Sequence, residues 1–163
     1  MKKAVAGKPV PDVEMLTTGG KTLRLHDLKG KYVVLYFYPK DDTPGCTLEG
    51  QDFRDKHAQF RKLKALIFGI SRDSLASHEK FKAKFKFPFE LIADEDEKLC
   101  KLFDVIHEKS LYGKKYLGVD RSTFILDQDG VLCREFRGVK VKGHVDEVIE
   151  EIRKMQSSVS KRQ

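Results

Sequence analysis

The sequence predicts an α/β fold in which a central mixed β-sheet is flanked by helices. Near-continuous apolar runs at residues 32–38 and 63–71 are typical of strands buried on both faces. Segments with helical apolar spacing alternate with these runs, which favours parallel neighbours in the sheet. A strand–turn–strand pattern and an amphipathic helix close the chain, and they add antiparallel pairs to the same sheet.

The first half of the chain opens with an N-terminal β-hairpin, because two short alternating segments surround Gly19-Gly20. Ser74 precedes a helical pattern and is a candidate N-cap. In chain order, the predicted elements are the hairpin over 13–28, a strand over 32–38, a helix over 47–62, a strand over 63–71 and a helix over 74–86.

The second half continues the alternation and ends in a hairpin and a helix. The Asp129-Gly130 pair is a hairpin turn signal. The predicted elements are a strand over 87–94, a helix beginning near Asp94 and Glu97, a hairpin over 121–138 and a helix whose apolar side runs from Val145 to Met155. We expect one domain over residues 1–163, with 156–163 as a flexible tail.

Composition narrows the classes of partner. The chain has 163 residues, a net charge of +7 and 35% charged residues. Acids are interleaved with the bases along the whole chain, which argues against a nucleic-acid partner. No apolar run approaches the ~20 residues that cross a bilayer, and the N-terminal apolar stretch is too short for a signal peptide. We expect a cytoplasmic protein without a membrane partner, and a monomer because no extra apolar stripe is evident.

The segment FYPKDDTPGCTLEG, residues 37–50, places Cys46 between a buried strand and a helix. Binding and catalytic sites of α/β folds tend to lie beyond the C-terminal ends of strands. The unpaired amides at a helix start favour an anion, so they favour the thiolate of Cys46. Arg121 is the candidate cation beside it, because arginine keeps its charge, and Lys40 is the alternative.

The residues around Cys46 suit a nucleophile that acts on a small ligand. The Thr43 hydroxyl can accept a hydrogen bond from a substrate and donate one to the thiolate. Pro39 and Pro44 stiffen the loop, and Gly45 allows a ligand to approach the backbone closely. These positions make Cys46, Thr43, Gly45 and Arg121 candidate catalytic and substrate-binding residues.

Packing, metal binding and hydrolysis are the alternative roles for the cysteines. Buried packing is the ordinary role of a lone cysteine, and it suits Cys100 and Cys133 better than a cysteine in a Pro/Gly-rich loop. A metal site or a Cys–His hydrolase needs a companion at Cys46, and His57 lies about 16 Å along the predicted helix. Remote histidines stay open as partners; they are His26, His107 and His144. The sequence contains no C-x-x-C pair.

Two motifs resemble a known family. YPKDDTPGCT resembles the active-site loop of peroxiredoxins, with Pro39, Thr43 and Cys46 in the P-x-x-x-T-x-x-C spacing. SLYGKKYLGVDRSTFILDQDG resembles a later segment of the bacterioferritin comigratory protein, or peroxiredoxin Q, subfamily. The resemblance covers roughly residues 7–155. It implies a thioredoxin-like fold and reduction of hydrogen peroxide and organic hydroperoxides without a metal, haem or other cofactor.

The resemblance also implies a role for each matching residue. Cys46 corresponds to the peroxidatic cysteine, and Thr43 to the hydroxyl that positions the peroxide. Pro39 shields the pocket, and Arg121 matches the arginine that binds thiolate and peroxide. Oxidised Cys46 would be a sulfenic acid, which a second thiol must attack.

The second thiol is not evident from the sequence. Many subfamily members carry it five residues after the peroxidatic cysteine, where this chain has Gln51. Cys100, Cys133 and an external thiol remain as candidates. We expect an external thiol, from thioredoxin, glutaredoxin or a low-molecular-weight compound, with Cys100 as the preferred internal alternative. The alternative from another class is a non-catalytic thioredoxin-like or nucleic-acid-binding domain.

Overall fold

A computed structural model describes residues 3–162, with side chains over residues 3–158. The described residues form nine strands: β1 Glu14–Thr17, β2 Lys21–Arg24, β3 Tyr32–Phe37, β4 Ala65–Ser71, β5 Glu90–Ala93, β6 Ile106–Leu111, β7 Lys114–Val119, β8 Ser122–Leu126 and β9 Leu132–Arg137. The helices in the same range are α1 Pro44–Asp55, α2 His57–Lys62, α3 Leu75–Phe85, α4 Lys98–Leu102 and α5 His144–Arg162, with a 3-10 helix at Leu25–Leu28.

Seven of these strands form one mixed sheet in the order β2-β1-β5-β4-β3-β8-β9. The central strands β3, β4 and β5 are parallel, as the alternating first half of the chain predicted. Antiparallel pairs flank them, with β1 beside β5 on one side and β8 beside β3 on the other. The predicted α/β class, the mixed sheet and the N-terminal hairpin are therefore confirmed.

Helices cover both faces of the sheet, and this explains why every residue of β3 is buried. Alternate side chains of a strand point to opposite faces. Val34 and Tyr36 join a core cluster with residues of α1, α3 and α5. Val33 and Leu35 join a second cluster with residues of α4 and the 3-10 helix. The apolar run at 32–38 is thus a strand between two cores.

Three features differ from the sequence prediction. The helix predicted over 47–62 begins earlier, at Pro44, and is broken at Lys56, whose φ of −101° and ψ of 5° leave the helical range. A second hairpin, β6–β7, was missed because charged residues occupy both of its faces. Helix α5 continues through Arg162, where a tail from residue 156 was expected, because adding residues to an existing helix needs no new nucleus. Residue 163 lies outside the described residues.

Within residues 3–162, no helix combines the length and apolar character required of a membrane span.

Candidate active site

The pairing of β3 with β8 brings the two halves of the site together. Phe37 at the end of β3 is paired with Ser122 at the start of β8. The chain leaves β3 into the loop that carries Cys46, and Arg121 directly precedes β8. Because the two strands are antiparallel, the end of β3 and the start of β8 lie at the same end of the sheet, and Cys46 and Arg121 meet there. The Arg121 carbonyl accepts a hydrogen bond from the Val139 amide at 3.0 Å, which fixes the backbone there.

Cys46 lies in the first turn of α1 and is 2% exposed. Its Sγ atom is 3.4 Å from Nη2 of Arg121, which donates to the sulfur. The other terminal nitrogen, Nη1, donates to Oε1 of Glu49 at 2.7 Å. The planar guanidinium therefore holds both acidic groups at once, which a lysine ammonium on a flexible stem does not reproduce. The predicted pairing of Arg121 with Cys46 is present in the structure.

Glu49 is a site residue that the sequence analysis missed. It is fully buried one helical turn after Cys46, and its Oε2 has no hydrogen-bond partner among the described residues. Burial raises the pKa of Glu49 to about 7, against the opposite effect of Arg121. The spacing in the sequence could have identified Glu49, because an acid three residues after a cysteine lies on the same face of a helix.

Thr43 and Lys40 differ from their expected roles. The Thr43 hydroxyl donates to the Lys40 carbonyl at 2.8 Å, so its proton does not point to the thiolate as expected. The turn at residues 40–43 places that carbonyl within hydrogen-bond distance of the hydroxyl, and the oxygen lone pairs stay available to a substrate donor. Lys40 is exposed, so Arg121 and not Lys40 is the cation at Cys46. Pro39 is half-buried immediately after β3.

Gly45, which was expected to allow close approach of a ligand, lies against the side chain of Arg121. A Cβ atom at Gly45 would lie 3.1 Å from Nη2 of Arg121. That separation is shorter than an ordinary carbon–nitrogen contact, so a side chain at this position would displace the guanidinium by a few tenths of an ångström. The missing side chain of Gly45 therefore leaves space for the nitrogen that donates to Cys46.

The two other cysteines lie away from Cys46. Cys100 is fully buried in the core cluster on the opposite face of the sheet, as its expected packing role requires. Burial and Asp94 raise the pKa of Cys100, which disfavours its thiolate. Buried packing was wrong for Cys133, because alternation along β9 buries Leu132 and leaves Cys133 exposed, at the end of the sheet where β3 begins. Burial and Asp127 raise its pKa to about 11.

The histidines considered as partners of Cys46 contact other groups. His107 contacts Asp120, and His26 contacts the Val10 carbonyl. His144 is buried against Thr123 at 2.8 Å, and burial lowers its pKa. His57 begins α2, beyond the break at the end of α1. Among the described residues, none of these rings is hydrogen-bonded to Cys46.

Comparison with known proteins agrees with the motifs. Residues 6–134 match the model of the AhpC/TSA family. The chain is 50% identical over 149 residues to peroxiredoxin Bcp of Bacillus subtilis, covering 91% of this chain and 95% of that protein. It is 36% identical over 149 residues to peroxiredoxin Bcp of Escherichia coli, covering 91% and 96%.

Solved structures give the same result. Peroxiredoxin Q of Xanthomonas campestris superposes with a TM-score of 0.86 at 47% identity, covering 92% of this chain and 96% of that one. BcpB of Mycobacterium tuberculosis gives a TM-score of 0.81 at 32% identity, covering 92% and 97%. These proteins are thiol-dependent peroxidases with a thioredoxin-like fold. The chain therefore belongs to the AhpC/TSA family, as a peroxiredoxin of the Bcp and peroxiredoxin Q type.

Proposed function

We propose that this peroxidase reduces hydrogen peroxide and small organic hydroperoxides at Cys46. The observation that carries the proposal is the contact of Arg121 with both Cys46 and Glu49 in a buried site. A related structure, of the Xanthomonas campestris bacterioferritin comigratory protein, was determined to study its alkyl peroxide reduction activity.

The proposed reaction begins with attack of the Cys46 thiolate on one peroxide oxygen. A sulfur–oxygen bond forms, the O–O bond breaks, and the leaving oxygen takes a proton to depart as water or alcohol. Arg121 and the amides of the first turn of α1 stabilise the negative charge that develops on the leaving oxygen. The Thr43 hydroxyl accepts the hydrogen bond of the bound peroxide, and Pro39 shields the pocket. The product at Cys46 is a sulfenic acid.

An external thiol completes the proposed cycle. It displaces water from the Cys46 sulfenic acid to form a mixed disulfide, and a second thiol reduces that disulfide. The positions of the other two cysteines support this choice. Cys100 lies on the opposite face of the sheet from Cys46, and Cys133 lies at the opposite end of the sheet. Thioredoxin, glutaredoxin and low-molecular-weight thiols remain the candidate reductants. Three free cysteines suit the reducing cytoplasm that we propose as its location.

The test is peroxide consumption by the wild type and by Cys46→Ser. Each protein is supplied with thioredoxin, with glutathione plus glutaredoxin, or with dithiothreitol, and with hydrogen peroxide or cumene hydroperoxide. We expect turnover by the wild type and none by Cys46→Ser. Equal turnover by the two proteins would refute the role of Cys46. A light-scattering mass of 18.7 kDa would support the proposed monomer, and twice that mass would refute it.

A further inference from the structure

A buried polar network ties the loop before Cys46 to the sheet. Oδ1 of Asp41 accepts a hydrogen bond from the Tyr38 hydroxyl at 2.6 Å. Its Oδ2 lies 2.7 Å from Nδ1 of His78 and accepts from the Ser77 hydroxyl at 2.8 Å. The Asp41 amide donates to Asp73 at 2.9 Å. Both oxygens and the amide of one loop residue are therefore engaged.

His78 is the member of this network that reaches the centre of the sheet. The ring lies on α3, is fully buried, and has a partner at each nitrogen. Nε2 is 2.9 Å from the carbonyl of Ile92 on β5, and a carbonyl only accepts hydrogen bonds. Nε2 therefore carries a hydrogen, and Nδ1 faces a carboxylate that already accepts from two hydroxyls. The ring therefore bridges the Asp41 side chain and the Ile92 carbonyl.

Removal of the ring would take one hydrogen-bond donor away from each of two buried acceptors. The Asp41 carboxylate, which would keep only the Tyr38 and Ser77 hydroxyls, is 4% exposed in its side chain, and the Ile92 residue is fully buried. Taking a donor away from a buried carboxylate is unfavourable. The full free-energy cost applies while the loop is closed, whereas in an open loop water can hydrogen-bond to Asp41. Loss of His78 therefore favours opening of the loop.

Opening matters because the Cys46 sulfur is closed to a second thiol. Cys46 is 2% exposed, so a thiol attached to a protein cannot reach its sulfur while the loop is closed. Asp41 lies two residues before Thr43 and five before Cys46, so the network governs the segment that must move. Opening would also separate Cys46 from Arg121, and therefore slow its reaction with peroxide.

We propose that His78 is a positioning residue for Cys46: its buried pair with Asp41 holds the loop at residues 38–43 closed for the peroxide step and sets how readily the loop opens for the second thiol. This role rests on the proposed function of Cys46.

The test measures both states in His78→Leu and in His78→Asn, which keeps one donor. Alkylation of Cys46 by iodoacetamide, followed by peptide mass spectrometry, reports access to the sulfur. Stopped-flow oxidation by hydrogen peroxide reports the closed site. For His78→Leu we expect alkylation to rise and oxidation to fall, each by about tenfold, because a hydrogen bond to a charged group is lost. His78→Asn should lie between Leu and the wild type.

The matched control is Leu132→Ala, which removes a fully buried side chain from the opposite core cluster. It lowers the free energy of unfolding without touching the loop, so both Cys46 rates should stay at the wild-type value. Unchanged alkylation in both His78 variants would overturn the proposal. So would faster alkylation together with slower oxidation in Leu132→Ala. Alkylation needs neither peroxide nor reductant, so this result is independent of the peroxide-consumption test of Cys46.

Discussion

Arg121 and Cys46 are 75 residues apart in the chain, yet Nη2 of Arg121 lies 3.4 Å from Sγ of Cys46. The contact exists because Phe37 pairs with Ser122 across β3 and β8. The same guanidinium holds Glu49 at 2.7 Å. Most of the chemistry that we propose depends on this shared arginine.

Arg121→Ala should slow oxidation of Cys46 by hydrogen peroxide about thirtyfold, which corresponds to ~2 kcal/mol for one charged donor in a shielded site. Stopped-flow fluorescence or competition kinetics measures the rate. Arg134→Ala is the control, because Arg134 pairs with Glu151 on the surface. Arg121→Ala should also be combined with Glu49→Gln. The double variant separates the effect of leaving Glu49 without Arg121 from the effect of removing Arg121 from the Cys46 thiol. A wild-type rate in both backgrounds would leave Arg121 with a structural role alone.

Glu49→Gln should remove a pH dependence of stability. The pKa of Glu49 is raised in the fold from its ordinary 4.5 to about 7, so folding favours the protonated form. Its stabilising contribution is complete below pH 4.5 and is lost as the pH rises through about 7. Urea unfolding from pH 5 to 8 should show the wild type losing on the order of 3 kcal/mol relative to Glu49→Gln. A difference that is constant over this range would mean that Arg121 keeps Glu49 ionised throughout.

Gly45→Ala should separate activity from stability. The added Cβ would lie 3.1 Å from Nη2 of Arg121, the nitrogen that donates to Cys46, so this nitrogen must shift by a few tenths of an ångström. We expect oxidation of Cys46 to slow severalfold while the free energy of unfolding does not fall, because alanine is the better helix former. Gly50→Ala is the contrasting variant. Its Cβ would lie 2.4 Å from the buried Phe87 ring, and overpacking of this kind costs about 1–3 kcal/mol. Equal stability losses in both variants would contradict this account of Gly45.

Replacement of both other cysteines should leave turnover intact. The variant is Cys100→Ala with Cys133→Ser, since serine at the fully buried Cys100 would bury a hydroxyl in an apolar cluster. We expect wild-type turnover with the external reductant that supports the wild type. Loss of turnover, together with an intramolecular disulfide in the oxidised wild type, would show that one of these cysteines resolves the sulfenic acid.

The sequence was sufficient for the parts of the site that are local in the chain. The spacing of Pro39, Thr43 and Cys46 is carried by one loop, and the apolar runs and turn signals predicted the mixed sheet. Arg121 was identified as a candidate by its charge and its position before a strand. Its distance from Cys46 depends on strand register, which periodicity does not supply.

Tertiary packing determines the features that were missed. Hydrogen bonds join Asp41 to His78 across 37 residues, and His78 alone reads as an apolar-face residue of α3. The β6–β7 hairpin was missed because most of its side chains are exposed, including the apolar Leu111, Tyr112 and Leu117, so it lacks the core-facing alternation of a half-buried strand. These exposed side chains form an apolar surface that the sequence analysis did not identify.

The most direct test of the account is the fate of each thiol after one equivalent of peroxide. Reduced protein is mixed with an equimolar amount of hydrogen peroxide, trapped with dimedone and mapped by peptide mass spectrometry. We predict that the adduct of a sulfenic acid forms at Cys46, while Cys100 and Cys133 remain free thiols, and that Cys46→Ser consumes no peroxide on the same timescale. Three free thiols with unreacted peroxide, or an adduct only at the exposed Cys133, would contradict the assignment of Cys46 as the peroxidatic residue.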